Sequence, residues 1–269
     1  MATDPLATLA ALPNVAEASE QARSAVDALL WNRGARSMSN ELARESTLAG
    51  AWCSAAFEGA EVLLPQLRTG SVDDSPMSRV AARTLAMYIE IPKVSGLIGT
   101  APMQVLARLH ATVVGIDEDT DLQSAGAGRP RLAEPVDPLK LGTAVAAPEI
   151  PQRLAGLMDL LTTPTQAPAI VVAGIGHAEV AAMQPFERGS GIVARSLTRC
   201  ILRDRGLDPD GWTIPEAAMR MMGRTKYVNA LRGYNSGTSE GVSEWLVQHA
   251  KLVQVGAQEA EKWVASQQS

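Results

Sequence analysis

The residues best placed to do chemistry lie in Gln184-Pro-Phe-Glu-Arg-Gly-Ser-Gly-Ile-Val-Ala-Arg195, which follows one apolar periodic run and opens another. The stretch reads as a helix-loop-helix with a glycine-rich joint. At a helix start, Gly189, Ser190 and Gly191 expose unpaired N–H groups, and with the helix dipole these form a pocket for phosphate or another anion. Arg195, one turn in, can face the same pocket. Taken alone, Gly-Ser-Gly before a helix is more often an ordinary turn and cap than an anion site. The serines, Cys53 and Cys200 lack a nearby histidine with an orienting acid, so nothing points to a nucleophilic triad, and no metal-ligand spacing is present. Of the three histidines, His110 and His249 fall in no pattern. His177, seven residues before Gln184, reads as a buried histidine bonded to a neighbouring helix.

The elements that must position these residues are helical. The chain has 269 residues, 4% aromatic content and a formal net charge of −5. That length suits one large domain, or one domain with a helical extension, and the abundance of Ala, Leu, Val and Met suits close-packed helices. The periodicity predicts helices at about 15–32, 40–59, 76–90, 102–114, 149–161, 168–183, 190–205, 215–233 and 240–266. The segment 115–147, rich in Asp, Gly, Pro and Arg, reads as a long loop with one short hairpin, its roles as surface loop or binding element equally open. Absence of any basic run argues against nucleic-acid binding. The apolar run from Ala167 to Met183 is too short and too punctuated to span a bilayer and reads as a core helix. Two cysteines in apolar patterns and no signal-peptide signature predict reduced thiols and a cytoplasmic location.

The stretch resembles the Fic (Fido) motif, HPFx(D/E)GNGRxxR, whose Pro-Phe pair, two glycines and last arginine reappear as Pro185, Phe186, Gly189, Gly191 and Arg195. Ala173-Gly-Ile-Gly-His177, Pro148-Glu-Ile-Pro151, Tyr227-Val-Asn-Ala-Leu231 and Trp245 extend the resemblance over about residues 100–250. Ser54-Ala-Ala-Phe-Glu58-Gly59 is similar to the (S/T)xxxE(G/N) inhibitory motif that many Fic proteins carry ahead of the core. The resemblance implies an all-α, Fic-like helical bundle with a short β-hairpin flap, divided into an N-terminal helical arm (1–95) and a core with C-terminal helices (96–269). It also implies that Glu58 of the inhibitory motif (Ser54, Glu58, Gly59) pairs with Arg195.

The departures bear on activity. Gln184 stands where the family has its general-base histidine, and an amide cannot be that base. Arg188 stands at the metal-binding acid, a permanent cation in place of a Mg²⁺ ligand, with Glu187 one place off. Ser190 replaces the motif asparagine and Ile192 the first arginine. The expectation is a Fic-family protein that has lost its AMP-transferase (AMPylation) chemistry and works as a pseudoenzyme or regulatory protein-binding module. The alternative is a protein nucleotidyltransferase, or another phosphate-group transferase, with an altered site. Gly189, Ser190, Gly191, Arg195 and Arg188 are the candidate nucleotide or anion contacts. No catalytic residue and no metal ligand is expected, and no cofactor beyond weak binding of ATP or another nucleotide. The expected partner is an unidentified protein, with no nucleic acid and no membrane, and a homodimer is left open.

Overall fold

The computed structural model describes residues 4–114, 126–135, 141 and 144–268. Among the described residues thirteen α-helices follow one another: α1 (Pro5–Ala10), α2 (Pro13–Trp31), α3 (Arg33–Ser37), α4 (Ser39–Phe57), α5 (Leu64–Thr69), α6 (Pro76–Val94), α7 (Pro102–Val114), α8 (Ile150–Thr162), α9 (Ala169–Met183), α10 (Ser190–Asp204), α11 (Pro215–Met222), α12 (Arg224–Asn235) and α13 (Ser239–Gln267). Among the described residues there is no strand. The expected hairpin therefore finds no support. Residues 126–135 and 144–146 are turn and irregular backbone, and the rest of that expectation lies outside the described residues. No described helix is long and apolar enough to cross a membrane.

α9 is the axis of the fold. Thirteen of its fifteen residues are buried, because a helix apolar all round must be covered on every side. Two glycines let its neighbours approach closely. A Cβ at Gly174 would meet Leu246 of α13 at 2.9 Å, and one at Gly176 would meet Ile201 of α10 at 2.9 Å. Trp245 of α13 also donates its indole N–H to the Gly174 carbonyl at 2.8 Å. The larger of two hydrophobic clusters runs from Leu6 to Val264 and takes residues from both sides of position 95, and a smaller one joins Leu48 and Ala55 to Ala60, Leu67 and Ala81. Cys53 and Cys200 are buried free thiols, and burial pushes both up to about 12.

The helix expected at 215–233 is broken. Gly223 sits at φ 88°, ψ 150°, a region essentially reserved for glycine, and the chain turns there between α11 and α12. α6 runs past its expected end through Pro92 to Val94. The short helices α1, α3 and α5 carry too little periodicity to be read from sequence. Side-chain caps start two of them: Asp4 accepts from the N–H groups of Leu6 and Ala7, and Asn32 from that of Ala35.

Candidate functional site

The motif loop links the C-terminus of α9 to the N-terminus of α10. Gln184 ends α9 in the left-handed conformation (φ 46°, ψ 62°), the only described non-glycine residue with positive φ, and Gly189 takes the same region at φ 77°. The serine closes the loop. Ser190 Oγ accepts from the Phe186 N–H and lies within bonding reach of the Phe186 carbonyl, both at 3.1 Å, so its hydroxyl is absorbed by the turn. Ile192 is 3% exposed and packs in the core. Glu187 and Arg188 are exposed. A cation at position 188 does not suit a divalent metal, and among the described residues no cluster of three His, Cys, Asp or Glu side chains is assembled.

Two residues that the sequence did not single out cover this loop. His110 of α7 stacks on Phe186 with ring centroids 3.8 Å apart. Its Nδ1 accepts from the Gly128 N–H at 2.9 Å and its Nε2 lies 3.2 Å from the Arg188 carbonyl, which fixes a neutral ring protonated on Nε2. Arg131 is buried and spends its guanidinium on carbonyls: Nε on Gln184 at 2.7 Å, Nη1 on Ala133 at 2.9 Å, and Nη2 on Val145. Its own N–H bonds the Pro185 carbonyl at 2.8 Å. The segment 126–135 is thereby fastened over the motif from both sides.

Below the loop, α10 faces α4 along matched stripes. On α4 and its C-cap, Ser46, Gly50, Ser54 and Glu58 recur every fourth residue, and on α10 so do Gly191, Arg195 and Arg199. Such spacing puts each set on one helix face. Arg195 donates from Nε to Ser54 Oγ at 2.8 Å, and from Nη2 to the Ser54 carbonyl at 3.1 Å and to Glu58 Oε1 at 2.7 Å. Phe57 lies under it, with the ring centroid 5.7 Å from the guanidinium carbon. Trp52 turns elsewhere, donating to the Val62 carbonyl. The side chains of Arg195 and Glu58 are 1% and 10% exposed. Burial is the strongest influence and opposes the arginine's charge, but Glu58 together with Tyr227 and Tyr88 outweighs it, so the Arg195 pKa is raised.

One turn along, Arg199 repeats the pattern. It holds Glu216 with two bonds of 2.9 and 2.7 Å, and reaches Ser46 Oγ at 3.0 Å and the Ser46 carbonyl at 3.2 Å. Glycines clear the way: a Cβ at Gly50 would lie 2.3 Å from Arg199 Nη2, and one at Gly191 would lie 2.5 Å from Glu58 Oε1. Two arginines on α10 therefore each bind one serine of α4, by its hydroxyl and its carbonyl, together with one glutamate. The fourfold spacing on α4 was the sequence signal for the second rung, and it was missed.

A buried polar chain completes the surroundings. His177 contacts Thr198 Oγ1 at 3.0 Å through Nδ1 and Tyr227 Oη at 2.7 Å through Nε2, and Thr198 Oγ1 lies 3.3 Å from His249 Nε2. Both nitrogens of His177 are thus engaged inside the core, away from a base role at position 184.

No protein-family model matches the chain, and no curated protein matches it either. Solved structures do. A Fic family protein from Desulfovibrio desulfuricans G20 superposes with a TM-score of 0.75 at 18% identity, over 93% of this chain and 74% of that one. The fold is that of the Fic proteins. Fic-1 from C. elegans is similar at a TM-score of 0.63 and 19% identity, over 96% of this chain and 73% of that one. A Fic domain containing signaling protein from Bacteroides thetaiotaomicron VPI-5482 gives 0.66 and 14%, over 93% and 98%. Identities this low speak for the Fic fold alone.

Proposed function

We propose that this chain is a catalytically degenerate Fic-fold protein that works as a regulatory or protein-binding module, with α4 in the place of the inhibitory helix. The observation that carries the reading is the state of the motif's side chains. Gln184 offers no base; Ser190 is spent on its own loop; Ile192 is in the core; and the one matching arginine, Arg195, is tied to Ser54 and Glu58. A transfer site needs base, metal and phosphate contacts aligned together, and here only the backbone frame supports them.

One observation favours the alternative of a retained nucleotide or anion site. Gln184 Nε2 and Arg195 Nη1 are buried donors with no hydrogen-bond partner among the described residues, and none of their side chains caps the N-terminus of α10. Unpaired buried donors are costly and welcome an acceptor. Calorimetry with ATP, with and without EDTA, tests both readings. The degenerate site should bind no tighter than about 1 mM, and EDTA should change the affinity less than about twofold, because Arg188 supplies charge where a metal carboxylate would sit. Micromolar binding that requires Mg²⁺ would overturn the reading and make Glu187 or another acid a metal ligand.

A further inference from the structure

A groove of about 500 Å³ lies where α1, α8, α9, α12 and α13 meet, and none of the motif residues lines it. Its volume falls in the range of pockets that bury small molecules, about 300–1,000 Å³. Leu6, Leu9, Leu157, Leu160, Ile175 and Val242 supply an apolar lining. Arg153, Glu179 and Tyr234 supply a polar end. Glu179 is the only charged residue of α9, and it is held on two sides: Arg153 Nε donates to Oε2 at 3.1 Å and Tyr234 Oη to Oε1 at 2.5 Å. Gly156, inside α8, adds space, since a Cβ there would find nothing within 4 Å. Glycine within a helix is unfavourable, so this one leaves lining volume open at a cost to the helix.

The geometry points to a binding site for a small uncharged amphiphile, an apolar body carrying one hydroxyl or amide. Charge balance selects the head group. The Arg153–Glu179 pair is already neutral as a unit, so a carboxylate brought to Arg153 would meet the Glu179 carboxylate, and an ammonium brought to Glu179 would meet the guanidinium. Tyr234, donating its O–H to Glu179, keeps a lone pair that can accept, while Arg153 uses Nε and Nη2 on Glu179 and retains Nη1 as a donor. A hydroxyl or amide satisfies both without breaking the pair.

Calorimetric titration of the whole chain with 1-octanol, octanoate and octylamine tests this. Saturable one-to-one binding of octanol is expected, with octanoate and octylamine at least tenfold weaker. Gly156→Leu should weaken octanol at least tenfold without lowering the thermal midpoint, because it fills the groove with a better helix former. Glu179→Gln, which leaves Arg153 unneutralised, should shift the preference toward octanoate by at least tenfold, and it decides the matter should Gly156→Leu fold poorly. The proposal is overturned by absence of saturable octanol binding, by octanoate binding as tightly as octanol to the unaltered chain, by an unchanged octanol affinity in a folded Gly156→Leu chain, or by an unchanged head-group preference in Glu179→Gln.

Discussion

Glu58→Gln and Arg195→Gln are each expected to destabilise the protein by about 3–5 kcal/mol, and the two losses are expected not to add. The size follows from burial. With side chains 1% and 10% exposed, removing the carboxylate leaves a guanidinium that water cannot reach, bonded to Ser54 and beside the Phe57 ring with its charge unneutralised. An exposed pair would matter by about 1 kcal/mol or less. The protein should still fold in Glu58→Gln, because Arg199, Ser46 and Glu216 hold α4 to α10 one turn away. Urea unfolding of both single mutants and the double mutant gives the coupling, expected at about 1–3 kcal/mol and little changed by salt. Additive losses would mean that the contact between α4 and the motif contributes no specific pairing.

Acid should weaken the fold well before its carboxylates titrate. Burial holds His110 and His249 down to about 4, and His177 well below its ordinary value of 6.5. Each folded pKa lies below the unfolded one, so as pH falls through 6.5 the unfolded chain takes up protons that the folded chain refuses. The contribution is therefore fully present above about pH 6.5 and is lost progressively down to about pH 4. At about 1.4 kcal/mol per unit, His110 and His249 each account for about 3 kcal/mol across that window. Near pH 5 the slope of stability against pH should approach three protons. His110→Asn should reduce it by about one, since protonating His110 removes the acceptor for the Gly128 N–H beside the motif. A stability that is flat between pH 7 and 5 would contradict this placement of the histidines.

What was legible in the sequence differs between fold and site. Apolar periodicity and caps place the long helices, because burial of one face, or of every face in α9, leaves its period in the residues. The break at Gly223 was not legible, since a glycine inside a periodic run carries no mark of its backbone angles. In the site, Pro185, Phe186, Gly189, Gly191 and Arg195 mark the loop, and Glu58 lies against Arg195 as the two motifs together imply. Arg131 and His110 were not legible. One sits in a Gly- and Pro-rich loop without periodicity, and the other is a single polar residue on an apolar helix; each acquires its role only through contacts with Gln184, Phe186 and Arg188 that are distant in sequence. Ser46 and Arg199 could have been found, since fourfold spacing on α4 and α10 is a sequence fact, but pairing the two stripes, and bringing Glu216 of α11 to them, needed the fold.

The most direct measurement of the central claim is label transfer. Labelled ATP, UTP and CTP are incubated with the chain and candidate target proteins, first with the unaltered protein and then with Gln184→His, each shown to be folded by its thermal midpoint. Replacing the base alone leaves Arg188, Ser190 and the buried Ile192 as they are, so the account predicts no labelled protein in either case. Label on any protein with the unaltered chain, or with Gln184→His alone, would contradict it.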